Sequence, residues 1–132
     1  MLNYHPNIGE ILICDYRGFK EPEMVKVRPV VVVSPRFRAG SRLCTVVPLS
    51  TTEPVPQKSY HYQLELERKL PQPFDSAVCW VKADMLNTVS LDRLSLIRCG
   101  KSLGVRNYYK AKVSDEQLLA IQQAIKNGLG LK

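Results

Sequence analysis

Two short apolar runs, residues 30–33 (VVVV) and 44–47 (CTVV), constrain this chain more than any other stretch. Each is too short for an ordinary helix, and both are rich in β-branched side chains that favour extended backbone. They read as neighbouring buried strands. Residues 34–42 join them, with Pro35 and Gly40 as turn punctuation. Antiparallel pairing then brings Arg28, just before the first run, to the same end of the sheet as Ser50, Thr51 and Thr52, just after the second. A permanently charged guanidinium beside hydroxyls is a combination that suits phosphate.

The flanking segments extend this β pattern. Residues 8–15 are nearly continuously apolar and predict a first strand covered on both faces; residues 16–27 form a loop containing Gly18, Pro22, Glu21 and Glu23. Residues 60–67 (YHYQLELE) alternate strictly, which predicts a half-exposed strand with Tyr60, Tyr62, Leu64 and Leu66 on one face. His61 falls on its polar face, where a solvated histidine is the simpler reading than a general base. Residues 76–81 (SAVCWV) predict another buried strand, with Trp80 more readily core than a base-stacking platform. Residues 84–94 predict an irregular strand or short helical turn. Near the C-terminus, Ser114 and Gln117 form a capping box, and Leu118, Ile121 and Ile125 recur at helical spacing up to Asn127 and Gly128, where the helix is expected to stop.

At 132 residues the chain has the size of one domain, and 45% hydrophobic with 23% charged residues excludes disorder. No apolar run approaches the length of a membrane span and no basic-then-apolar leader opens the sequence, so a cytoplasmic protein without a membrane partner is expected. Cys14, Cys44, Cys79 and Cys99 form no C-x-x-C pair, and neither His5 nor His61 stands at ligand spacing to a cysteine. No metal or other cofactor is expected. The net charge of +7 is uneven: no acid occurs between Met24 and Thr52, or between Arg93 and Lys112, where Arg98, Lys101, Arg106 and Lys110 also lie. Such stretches suit a polyanion, although a charge run is also compatible with plain solvated surface.

Three motifs in order carry a family resemblance. Gly9-Glu10-Ile11-Leu12 ending in Asp15-Tyr16, then Arg28-Pro29 through Ser34, then Val47-Pro48 followed by Ser50 and Thr51 resemble the MazF/PemK toxin endoribonucleases of bacterial toxin–antitoxin systems. The resemblance covers most of the chain, residues 1–132 being read as one such domain. It implies a small SH3-like β-barrel of five to seven strands with a C-terminal amphipathic helix; periodicity alone supports only mostly β with a terminal helix. It also implies metal-independent cleavage of single-stranded RNA to 2′,3′-cyclic phosphate and 5′-hydroxyl ends. Implied partners are a second copy of the chain, an antitoxin with an acidic segment, and operator DNA through the toxin–antitoxin complex. A noncatalytic nucleic-acid- or protein-binding module on the same fold is the alternative.

On this reading Arg28 meets the charge of the pentavalent phosphorane, and a hydroxyl of Ser50 or Thr51 holds the scissile phosphate in line. Spacing from the strand favours Ser50, whereas residue type favours Thr51. Tyr16 is the candidate for base stacking, and Lys26, Ser34, Arg36 and Arg38 are candidates for RNA contacts.

Overall fold

A computed structural model describes residues 2–37 and 40–132. The described chain runs β1 (Ile11–Asp15), β2 (Val27–Val32), β3 (Leu43–Ser50), β4 (His61–Glu65), β5 (Val78–Lys82), β6 (Asn87–Ser90), β7 (Leu94–Ser95), β8 (Ile97–Ser102), β9 (Val105–Tyr109) and α1 (Asp115–Leu129). Short 3₁₀ turns at Ala83–Met85 and Leu91–Arg93 flank β6.

The predicted pair of strands is at the centre. β2 and β3 are antiparallel, with Val30 opposite Pro48 and Val32 opposite Val46. β1 lies on the other side of β2, placing Cys14 opposite Arg28. β3 is the longest strand because it serves two partners on its far side: Leu43 to Val46 pair with β6, and Leu49 and Ser50 pair with β5.

The expected closed barrel is not what forms. The main sheet follows an open path, β4-β5-β3-β2-β1-β7, with β6 branching from β3, and β4 and β7 are its two ends. Closure is unnecessary because other backbone covers the edge of β1. β7 reaches only Ile13 and Cys14, while Ile11 N–H donates to Ala111 O and Val113 N–H donates to Gly9 O. Those bonds satisfy the β1 backbone without help from β4.

The strand count also exceeds the expected five to seven. Residues 84–94 resolve into turn, strand, turn and strand, and residues 97–109 add a separate two-stranded ribbon, β8–β9. That ribbon has little apolar alternation because nearly all of it is exposed.

Two cores sandwich the central strands, which explains their unbroken apolar runs. Ile11, Val31, Val47 and Leu49 face Leu64, Cys79, Val81 and Ile121, the last from α1. Leu12, Cys14, Val30, Val32 and Val46 face the opposite way, against Val89, Leu91, Leu94 and Leu2. At roughly 1.5–3 kcal/mol for each fully buried aliphatic side chain, β2 alone anchors both layers.

The helix starts where its capping box predicts. Ser114 Oγ accepts Gln117 N–H, and Gln117 Oε1 accepts Ser114 N–H. It does not stop at Asn127 and Gly128 but runs through to Leu129, with Gly130 in the left-handed cap. Gly128 has a packing role instead: a Cβ there would stand 3.2 Å from Tyr60 Cβ, so its bare backbone lets the helix settle against the end of β4.

Candidate active site

Arg28 follows the first residue of β2, on the face shared with Val30 and Val32. Carrying the β2–β3 register two residues past Val30 and Pro48 puts it opposite Ser50. Ser50 in turn pairs with Trp80 of β5, and Trp80 with Gln63 of β4. Cys14, Arg28, Ser50, Trp80 and Gln63 therefore form one row across a single face of the sheet. Of the two hydroxyls left open by the sequence, Ser50 is the one this row includes.

The Arg28 side chain borders a cavity of about 300 Å³ lined also by Glu21, Glu23, Lys26 and Met85. Its Nε is buried and has no hydrogen-bond partner among the described residues. An unpartnered buried donor costs on the order of 1–3 kcal/mol, and an acceptor bound in the cavity would relieve that cost. Glu21, Glu23, Lys26 and Arg28 all line this space, and Glu23 Oε1 also accepts Lys20 N–H at 2.9 Å.

The loop that builds this cavity is pinned from behind by Arg93. Its guanidinium Nη1 donates to Asp15 O at 2.8 Å and to Arg17 O at 2.9 Å, and the same guanidinium lies 4.5 Å from the Phe19 ring centre. Arg17 and Asp15 form an exposed bidentate pair beside it, and the Arg17 guanidinium holds the Asp15 carboxyl down at about 2. Sequence reasoning placed Arg93 only within a basic stretch. Its role here depends on a contact between residues more than seventy positions apart, for which no local pattern exists.

The remaining sequence candidates do not all converge. Lys26 is exposed on the cavity. Tyr16 is only 1% exposed, set edge-on against Phe19 with ring centres 5.7 Å apart; its ring belongs to the core and is not open to a base. Burial pushes its hydroxyl, which has no partner among the described residues, well above the usual tyrosine range. Ser34 is likewise buried, and its Oγ accepts Thr45 N–H at 2.9 Å, which fastens the start of the β2–β3 connection. Arg36 lies beyond the other end of β2 from Arg28. Arg38 falls outside the described residues.

Ser50 Oγ accepts Thr52 N–H at 3.1 Å in a local turn, leaving Thr51 and Thr52 exposed beyond the strand. Trp80 is 6% exposed, which fits the core reading, although its register sets it beside Ser50. His61 Nδ1 accepts Lys58 N–H at 3.0 Å and its ring packs edge-on against Tyr60, so it serves the start of β4. Among the described residues, no three His, Cys, Asp or Glu side chains are grouped as metal ligands, and no helix is long and apolar enough to cross a membrane.

The architecture is that of known toxin structures. It matches MazF from Deinococcus radiodurans with a TM-score of 0.72 at 17% identity, covering 98% of this chain and all of that one. It also matches an endoribonuclease solved with its cognate antitoxin from a mycobacterial species, with a TM-score of 0.66 at 21% identity, covering 97% and 98% of the two chains. At these identities the likeness establishes the fold. A sequence profile described as PemK-like, MazF-like toxin of type II toxin-antitoxin system matches residues 7–129, and the chain belongs to that family of endoribonuclease toxins. Among whole-chain relatives, Escherichia coli (strain K12) YifN is 31% identical, the match covering 94% of this chain and 91% of YifN. A Haemophilus influenzae protein is 30% identical over 92% and 91%.

Proposed function

We propose that this chain cleaves single-stranded RNA by attack of a ribose 2′-oxygen on its own 3′-phosphate, without a metal ion, leaving a 2′,3′-cyclic phosphate and a 5′-hydroxyl. The observation that carries this reading is the buried Arg28 Nε, without a partner among the described residues, on the sheet face that also bears Ser50. Arg28 supplies the missing acceptor's complement: its fork binds two phosphate oxygens and stabilises the negative charge that builds on the phosphorane. A cavity carboxylate, Glu21 or Glu23, takes the 2′-hydroxyl proton as the new P–O bond forms. The 5′-oxygen leaves and is protonated by water or by a donor held at Arg28. Ser50 or Thr51 steadies the phosphate, and Lys26 contacts the neighbouring backbone.

A homodimer, restraint by an acidic antitoxin segment, cytoplasmic location and operator DNA contact through the antitoxin complex belong to the same proposal. Family membership and the net charge of +7 support them. The local turn made by Ser50 favours one competing reading, a binding module on the same fold that does not turn over.

Incubation of the purified chain with a long single-stranded RNA in EDTA, beside Arg28→Ala, separates the two. Discrete cuts ending in cyclic phosphate, lost by at least about a hundredfold in the variant, are expected, since one stabilising donor at a developing oxyanion is worth on that order. RNA that is retained in a gel shift but stays intact would refute the nuclease and leave the binding module.

A further inference from the structure

The β8–β9 ribbon stands apart from the body: past Ile97 and before Tyr109 every residue is exposed. At about 3.3 Å per residue its six-residue strand extends roughly 20 Å. An isolated two-stranded ribbon is marginal by itself, so its residue pattern indicates what it is kept for.

That pattern is segregated by face. Arg98 pairs with Tyr108 and Lys101 with Arg106, and the register shifts between the two pairs. Arg106 and Tyr108, two apart on β9, share a face. The irregularity at Cys99 and Gly100, where Gly100 has φ +102°, brings Lys101 round to the same face as Arg98. One face therefore carries Arg98, Lys101, Arg106 and Tyr108. The other carries Ser102, Val105 and Asn107, tied by Asn107 Nδ2 donating to Ser102 Oγ at 2.9 Å.

Like charges directly opposite destabilise a strand pair, and no acid lies between Arg93 and Lys112 to offset them. Arg98 and Tyr108 also border a cavity of about 700 Å³ at the ribbon's base, with Tyr4, Val27, Phe74 and Leu96. Three cations and one aromatic ring on a single face, with Arg98 and Tyr108 beside this recess, suit a strand that offers both phosphates and bases.

We propose that the cationic face of the ribbon binds a single-stranded RNA segment outside the cleavage site, with Arg98, Lys101 and Arg106 on successive phosphates and one base stacked on Tyr108. An acidic peptide offers the charges but not the regularly spaced planar groups. This inference rests on the RNA reading above, deepening it to a second contact surface that governs how long a strand is gripped.

The test measures binding of fluorescent strands carrying 2′-O-methyl groups, which block cleavage, to the full chain by anisotropy across a salt series. Strands of about 6 and about 16 nucleotides bracket the reach of one such surface. The variant Arg98→Ser/Lys101→Ser/Arg106→Ser should weaken the long strand at least tenfold and the short strand much less. Its slope of log affinity against log salt should fall by about 2, as three phosphate contacts at about 0.7 each require. Tyr108→Leu keeps the charge and should cost about fivefold or more with no change in slope. Matching far-UV dichroism and melting would verify folding.

An unchanged long-strand affinity and slope in the triple variant would overturn the proposal. So would an effect seen only with duplex DNA, or only in self-association measured by sedimentation. A parallel deoxyribose strand that responds equally assigns the contact to phosphate and base; a response confined to the RNA-type strand adds the sugar, and both support it. If the wild-type chain cuts no RNA while the ribbon variants still behave as expected, the nuclease reading fails and the ribbon reading stands.

Discussion

Replacing Arg93 by alanine tests whether the loop before β2 is held by a single side chain. Two charge-assisted hydrogen bonds, to Asp15 O and Arg17 O, disappear together with the contact to the Phe19 ring. A hydrogen bond from a charged donor is worth about 1.5 kcal/mol at the low end, and an exposed cation–π contact about 0.5–1. Water can reach the Arg17 carbonyl, which is exposed, so the sum of more than about 3 kcal/mol contracts to about 2. With an unfolding entropy near 2.1 cal/mol/K per residue, a chain of 132 residues should then melt about 7 °C lower. Urea denaturation with an unchanged m-value gives the free energy, and amide exchange should quicken across residues 17–26 ahead of global unfolding. RNA cleavage should drop with it, because Lys26 and the carboxylates that share the cavity with Arg28 ride on that loop. Arg93→Lys should recover only part of the loss, since a single ammonium can meet both carbonyls as Nη1 does but has no planar face to lay over the Phe19 ring. A stability change within about 0.5 kcal/mol, with exchange and cleavage unaltered, would show that the loop keeps its shape without Arg93, and the reasoning would be wrong.

The thiols should separate into two groups. Cys99 is exposed, whereas Cys14, Cys44 and Cys79 are buried and their burial pushes them up to about 12, 11 and 11, so an aromatic disulfide reagent at mildly alkaline pH should titrate one thiol in the folded chain and four after denaturation. Ser114→Ala removes the acceptor for Gln117 N–H and should cost about 1 kcal/mol by urea denaturation. Because Arg17 depresses the Asp15 carboxyl below its unfolded value, the contribution of the pair is present above pH 4 and fades as pH falls toward 2; Asp15→Asn should flatten that acid limb slightly, and side-chain NMR titration should find the midpoint near 2. A midpoint at the ordinary carboxylate value would mean that the pair is not formed in solution.

How legible the site was depended on whether its residues lie within one strand's reach. The neighbouring apolar runs sufficed to align Arg28 with Ser50, because antiparallel pairing and the two-residue side-chain period leave little freedom once both runs are buried. Tyr16 and Ser34 came instead from the family resemblance, and the structure buries both. Both sit at strand ends, where the chain can turn a side chain outward or inward, and packing against Phe19 and bonding to Thr45 N–H decided for the interior. Arg36 was a candidate for contacts to the same RNA as Arg28, yet a β-strand carries its two ends apart: Arg28 stands near the start of β2 and Arg36 beyond its other end. Glu21 and Glu23 were visible as loop acids, but their shared cavity with Arg28 required the loop to fold back.

The amino-acid sequence alone determined the features encoded in short windows. These are the central β2–β3 pair, the alternating β4, the start of α1 at its capping box and two acid-free basic stretches. Such features follow from side-chain period, branching and local hydrogen bonding, which operate over a few residues. Only the tertiary structure decided that the sheet stays open, that α1 passes through Gly128, that Arg93 clamps a distant loop, and that a bulge gathers three cations on one ribbon face. Each of those outcomes is settled by which distant backbone arrives to satisfy a hydrogen bond or fill a gap, and that competition is resolved only when the whole chain packs.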